Sequence, residues 1–136
     1  MTEPPNPYER FVVLVVEDEL HTRNLIKGML RQIGVRSIVE AADGKAGLDE
    51  VLRAKPHLVL CDIHMEPVDG RKFLKFLRDA KLPQVRLTPV VFLTADAQRD
   101  TVLFAKEHHV NGYLVKPVSL ADLKARIDII LKPAPA

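Results

Sequence analysis

Tryptophan is absent from this chain of 136 residues, cysteine occurs once and tyrosine twice. A single cysteine, Cys61, excludes an internal disulfide, so stability has to come from a packed core. Long apolar runs are also missing. Met1 to Arg10 contains three prolines and no apolar stretch, which fits neither a signal peptide nor a membrane anchor and points to the cytoplasm. An excess of charge is lacking as well: 20 basic residues face 18 acidic ones for a net of +2, with the two signs interspersed. That balance gives no support for nucleic-acid binding. No internal repeat is visible. No glycine-rich loop of the G-x-G-x-x-G or P-loop kind follows the first apolar run, which removes the usual phosphate cradle of a nucleotide-binding domain.

What the chain does have is patterned hydrophobicity, 47% of its residues, enough for one core covered on both faces by helices. The runs Phe11 to Val16, Leu58 to Cys61, Val90 to Thr94 and Tyr113 to Val115 are short, apolar and separated by helix-like sequence. They read as buried strands of a parallel sheet, with Ser37 to Glu40 as a further strand. Between them, apolar residues recur at helical spacing: Leu25, Ile26, Met29, Leu30 and Ile33, stopped by Gly34; then Ala46, Leu48, Val51 and Leu52; then Phe73, Leu74, Phe76 and Leu77. Val102, Leu103 and Ala105 mark a fourth helix, and Leu120, Leu123, Ile127 and Ile130 the last. Asp43-Gly44 and Asn111-Gly112 read as turns, and Lys81 to Pro89 as a loop. Five strands alternating with five helices make a doubly wound α/β fold over residues 11–131. Residues 1–10 and 132–136 are expected to be disordered ends.

The chemistry lies at the strand ends. Glu17 and Asp18 follow the first strand, Asp62 follows the third, and Lys116 closes the fifth just before Pro117. In a parallel sheet the carboxyl ends meet at one edge, where ligands bind. Three carboxylates brought together repel unless a cation or a proton intervenes. With Lys116 as the one ammonium, a divalent ion would neutralise the set, and only a neutral site admits a phosphoryl dianion. Asp62 is the candidate nucleophile, because a carboxylate can attack a phosphoryl group to form an acyl phosphate. Lys116 is a point charge on a flexible stem that can follow phosphoryl oxygens. Thr94 offers a hydroxyl, and Ala95 beside it leaves an approach open.

Taken together, the pair Glu17-Asp18, Asp62, the loop Met65 to Gly70, Thr94-Ala95, and Tyr113 with Lys116-Pro117 resemble a bacterial response-regulator receiver domain of the stand-alone kind found among chemotaxis regulators. The likeness runs from Phe11 to Leu131. It implies a flavodoxin-like (βα)5 fold whose parallel five-stranded sheet has the order 2-1-3-4-5. It further implies that Asp62 is phosphorylated, that Glu17, Asp18, Asp62 and the backbone carbonyl of His64 hold Mg²⁺ or Mn²⁺, and that the Lys116-Pro117 bond is cis. By the same resemblance, Thr94 shifts toward the phosphoryl group and Tyr113 rotates in from solvent, reshaping the face from the fourth helix to the fifth. The implied partners are a histidine kinase and either a target protein or a histidine phosphotransfer protein. Such a domain modifies itself and turns over no external substrate. The resemblance further implies a monomer or a weak dimer through that same face.

Several positions depart from the family pattern. Pro67 stands one place later in the Met65 to Gly70 loop than is usual. By resemblance, His64 and Asp96 occupy places that tune loss of the phosphoryl group to water, although a solvated His64 is the simpler reading. Cys61 reads as a small core residue, and His108-His109 as surface. Arg71, Lys75 and Arg78 share one face of the third helix, which reads as a solvated face in preference to a docking patch for an acidic partner. Rival functions are a nucleotide- or flavin-binding doubly wound domain and an aspartate-nucleophile phosphohydrolase. The latter is weakened because His64, not a second aspartate, stands two residues past Asp62.

Overall fold

The computed structural model describes residues 5–95 and 109–133. Five parallel strands, β1 (Val12–Val16), β2 (Ser37–Ala41), β3 (Leu58–Asp62), β4 (Val90–Thr94) and β5 (Gly112–Val115), form one sheet in the order β2-β1-β3-β4-β5. The described helices are α1 (Leu20–Ile33), α2 (Gly44–Ala54), α3 (Gly70–Arg78), the single turn α4 (Pro83–Arg86) and α5 (Leu120–Leu131). The helix expected around Val102, Leu103 and Ala105 lies outside the described residues, as do Asp96, His108 and the extreme ends 1–4 and 134–136.

Side chains alternate across a pleated strand, and this divides the apolar residues between two cores. Val13 and Val15 join Leu58, Leu60, Val91 and Leu93 on one face, covered by Ile26 and Leu30 of α1 and by Leu123 and Ile127 of α5. Leu14 and Val16 join Val59, Cys61 and Phe92 on the other, covered by Val51 of α2 and by Phe73, Leu74 and Leu77 of α3. Helices on both faces explain why β3 and β4 are buried throughout. Side-chain caps set the starts of α2, α3 and α5. Asp43 accepts from the Ala46 N–H, Asp69 from Lys72 and Ser119 from Asp122, so Asp43-Gly44 is a helix entry more than a free turn.

Two local expectations change. The Lys81 to Pro89 segment contains α4, which Pro83 opens, since a proline at the first helical position gives up an N–H that would have no partner. At the start of the chain, Asn6 to Arg10 are not loose. Asn6 donates from Nδ2 to the Gly34 carbonyl and the buried Tyr8 donates from its hydroxyl to Asp128 Oδ1 at 2.6 Å, tying the segment to the ends of α1 and α5. A phenol ring in the core with its hydroxyl satisfied outweighs the proline-rich composition around it.

Candidate functional site

Strand register brings the acids to one level. Val16 pairs with Cys61, so the next residues, Glu17 and Asp62, stand side by side, and Asp62 in turn pairs with Leu93. Thr94 pairs with Val115, and Lys116 donates its backbone N–H to the Thr94 carbonyl at 2.7 Å. All of these ends lie at the carboxyl edge of the sheet. Ligating oxygens of Glu17, Asp18 and Asp62 fall within 4.8 Å of one another. The Lys116 Nζ reaches 3.0 Å from Glu17 Oε2 and 3.3 Å from Asp62 Oδ1.

Burial sharpens the electrostatics. Glu17 is 1% exposed and Asp62 5%, whereas Asp18 opens to solvent. Burial pushes the Glu17 carboxyl above its ordinary range, the hydrogen bond from Lys116 pulls it back, and the charge of Asp62 adds to the rise. For Lys116, burial works against the ammonium, but the Glu17 hydrogen bond and the charges of Asp62 and Glu17 outweigh it and leave its pKa raised. Two buried carboxylates and a third beside them, served by one ammonium among the described residues, make a centre that gains from a further cation. The donor set is all oxygen, which suits a hard divalent ion such as Mg²⁺ that keeps part of its water shell. A cleft of about 540 Å³ lined by Asp18, His64, Met65, Glu66 and Asp69 opens directly before it, with room for waters and a phosphoryl donor.

The loop from β3 to α3 is held by close backbone approach. Gly70 donates its N–H to the Ile63 carbonyl at 2.8 Å, and a Cβ at this position would meet the Asp62 carbonyl oxygen at 2.5 Å. Only glycine fits. Gly44 likewise donates to the Val68 carbonyl at 3.0 Å, where a Cβ would come within 2.5 Å of that oxygen, so the loop is clipped to the start of α2. The peptide bonds before Pro67 and Pro117 are both cis, the second being the one the resemblance implies. His64 is exposed and lines the cleft.

Thr94 is buried at the end of β4, and Tyr113 on β5 is 40% exposed. Cys61 faces the core opposite to the acids, and burial, with the charges of Asp62, Glu17 and Asp69, pushes its thiol well up, which leaves it a packing residue. The roles of two arginines, one beside the site and one at the opposite edge of the sheet, were not legible in the sequence. Arg23 of α1 donates to the Glu17 carbonyl at 2.7 Å and to Glu40 at 3.0 Å, fixing the backbone where β1 ends. Arg78, expected on a solvated face, instead turns inward to the carbonyls of Arg86, Thr88 and His109. Spacing places a residue on a helix face but does not say which carbonyls wait at its rim.

A family model for the response regulator receiver domain matches residues 13–128. The chain is 32% identical over 120 residues to chemotaxis protein CheY-3 of Vibrio cholerae, spanning 88% of this chain and 91% of that one. Among solved structures, a response regulator from Chloroflexus aurantiacus superposes with a TM-score of 0.83 at 26% identity, covering 91% of this chain and 99% of the other. The receiver domain of a sensor histidine kinase from Pseudomonas aeruginosa, with a magnesium ion coordinated in its active site cleft, gives 0.81 at 26% identity over 90% and 98% of the two chains.

Proposed function

Because this chain belongs to the response regulator receiver family, we propose that it takes a phosphoryl group from a histidine kinase onto Asp62 in a magnesium-dependent reaction and signals through altered protein contacts. The observation behind this reading is the convergence of Glu17, Asp18 and Asp62 within 4.8 Å, with Lys116 at 3.3 Å from the Asp62 carboxylate. An Asp62 oxygen attacks phosphorus, the bond from phosphorus to the kinase imidazole breaks, and an acyl phosphate remains on Asp62. Lys116 then moves its ammonium from the Asp62 carboxylate to the new phosphoryl oxygens, a short displacement for a flexible stem. The hydroxyl of Thr94 donates to the same oxygens from the end of β4. Glu17 and Asp18, with Asp62 and the carbonyl of His64, hold Mg²⁺ or Mn²⁺, whose charge supplies the neutralisation that one lysine leaves incomplete.

The output in this reading is the rotation of Tyr113 and a change of the surface around β5 and α5, met by a target protein in the bacterial cytoplasm. The domain modifies only itself and turns over no external substrate. The acidic lining of the cleft also weighs against a nucleotide or flavin as resident ligand, since Asp18, Glu66 and Asp69 would repel its phosphates. Incubation with a small-molecule phosphodonor and Mg²⁺, followed by intact mass measurement, tests the proposal. A gain of one phosphoryl group that disappears in Asp62→Asn, or with a chelator, is the expected result. No gain under conditions that label other receivers overturns it.

A further inference from the structure

Against the otherwise interspersed charges of the chain, one stretch is locally basic. Residues 71–87 hold six of the 20 basic residues and only one of the 18 acidic ones, so the rest of the chain is net negative. Large apolar side chains are exposed in the same stretch: Phe76 at 58%, Leu82 at 55% and Leu87 at 69%. Helix α3 buries Phe73, Leu74 and Leu77 against the sheet and turns Lys72, Lys75, Phe76 and Asp79 outward. Those four line a groove of about 230 Å³. Neither Lys72 nor Lys75 forms an ion pair among the described residues, and neither takes part in the acidic centre.

We propose that the outer face of α3 is a docking site for an acidic amphipathic helix of another protein, whose apolar side chain enters the groove beside Phe76 while its carboxylates meet Lys72 and Lys75. The placement of charge selects this occupant. Asp79 lies at the far end of the groove, one to two helical turns from the lysines, and would repel a uniformly anionic surface such as a phosphate backbone or an acidic bilayer. A helix can set carboxylates at one end and a lysine or a neutral residue opposite Asp79. The groove is concave, which suits an inserted side chain, and a polar nucleic-acid backbone would leave Phe76 without apolar cover. A contact centred on one short helix is small, so the complex is weak and salt-sensitive.

The test uses the unphosphorylated Asp62→Asn protein, so that its result is separate from the phosphoryl reading. The ¹⁵N-labelled chain is titrated with a synthetic amphipathic peptide of about 16 residues, long enough to be partly helical in water, carrying glutamates beside a leucine stripe and a lysine at the opposite end. Resonance shifts confined to α3 and α4 are expected. Lys72→Glu combined with Lys75→Glu should weaken binding roughly tenfold, and Phe76→Ser by a similar factor, with circular dichroism unchanged because all three positions are exposed. Shifts elsewhere, or binding unaffected by the charge reversal, overturn the proposal. So does equal binding of a peptide whose leucines are replaced by serine, or binding to phosphatidylserine vesicles or duplex RNA without binding to the peptide.

Discussion

Lys116, just past the end of β5, meets Glu17, just past the end of β1, with Nζ at 3.0 Å from Oε2 across 99 residues of sequence. The lysine is the charge that makes a buried carboxylate tolerable before any metal arrives. Lys116→Ala should therefore destabilise the metal-free protein by about 1–3 kcal/mol, the cost of leaving a buried polar group without its partner. Added Mg²⁺ should restore more stability to the variant than it adds to the wild type, read from urea unfolding midpoints. An equal response of both proteins would show that ion and lysine do not share these carboxylates.

Glu17 also predicts a pH dependence. Its pKa is raised above the ordinary 4.5, first by burial. Over the window just above 4.5 the folded protein keeps a proton that the unfolded chain has released, so stability falls as pH rises through that window. Glu17→Gln removes this titrating carboxyl. In the absence of metal, the stability of Glu17→Gln relative to wild type should increase as pH rises from 4.5 through the folded pKa of Glu17. The raised pKa of Lys116 acts far from this range, its stabilisation being lost only as pH climbs above 10.5. A difference flat with pH would contradict the assignment.

Gly70 sets the loop before α3 at van der Waals limits. A methyl group there would lie 2.5 Å from the Asp62 carbonyl oxygen and 2.9 Å from Ile63 Cα, both backbone atoms that have no flexible end to move aside. Gly70→Ala should cost about 1–3 kcal/mol, as overpacking does. Because the displaced backbone carries Asp62 itself, the variant should also take up phosphoryl groups from a small donor more slowly. Retention of full rate at reduced stability would separate the loop from the centre.

Much of this architecture is legible in the sequence, and the reason is physical. A strand buried on both faces, such as β3 or β4, must be apolar throughout, so Asp62 and Thr94 stand out as polar residues where the run ends. Helical spacing located α1, α2, α3 and α5 because each buries one stripe. What the pattern does not encode is contact between segments. Tyr8 joins the core through Asp128, 120 residues away, and Arg78 reaches the carbonyls of Arg86, Thr88 and His109. Neither has a local signature. Helix α4 was hidden because a single turn is too short to show a period.

Arg78 shows what such a contact is worth. Its Nη1 donates to the Arg86 carbonyl at 2.9 Å and to the Thr88 carbonyl at 2.8 Å, and its Nη2 to the His109 carbonyl at 3.0 Å and to Asn111 Oδ1 at 3.1 Å. Burial holds its pKa below the usual arginine value. One planar fork thus joins the end of α3 to the entrances of β4 and β5. Lysine cannot reproduce that geometry from a single nitrogen. Arg78→Lys should cost about 2 kcal/mol despite the retained charge, the scale of charged hydrogen bonds lost, as measured by chemical denaturation. Near-neutral behaviour of the lysine variant would mean that charge alone matters here.

Tyr8 and Tyr113 are the only tyrosines in the chain, and they serve different ends. Burial, with the hydrogen bond to Asp128, raises the pKa of the Tyr8 phenol. For Asp128, burial works toward a higher pKa, but the hydrogen bonds from Lys124 and Tyr8 outweigh it and leave the carboxyl below its ordinary 3.8. Its stabilising share is therefore present above pH 3.8 and lost as pH falls through the lower folded value. Tyr8→Phe should cost about 1–2 kcal/mol near neutrality, with the difference from wild type shrinking in that acid range. The same variant leaves Tyr113 as the sole source of tyrosine fluorescence. With its ring 40% exposed in the unphosphorylated chain, acrylamide should quench that emission readily, and quenching should weaken once phosphodonor and Mg²⁺ are added. Placing Asp62→Asn in the same background should abolish the change. If quenching stays constant while intact mass shows Asp62 phosphorylated, the ring does not move inward, and the output must pass through another part of the β5 and α5 surface.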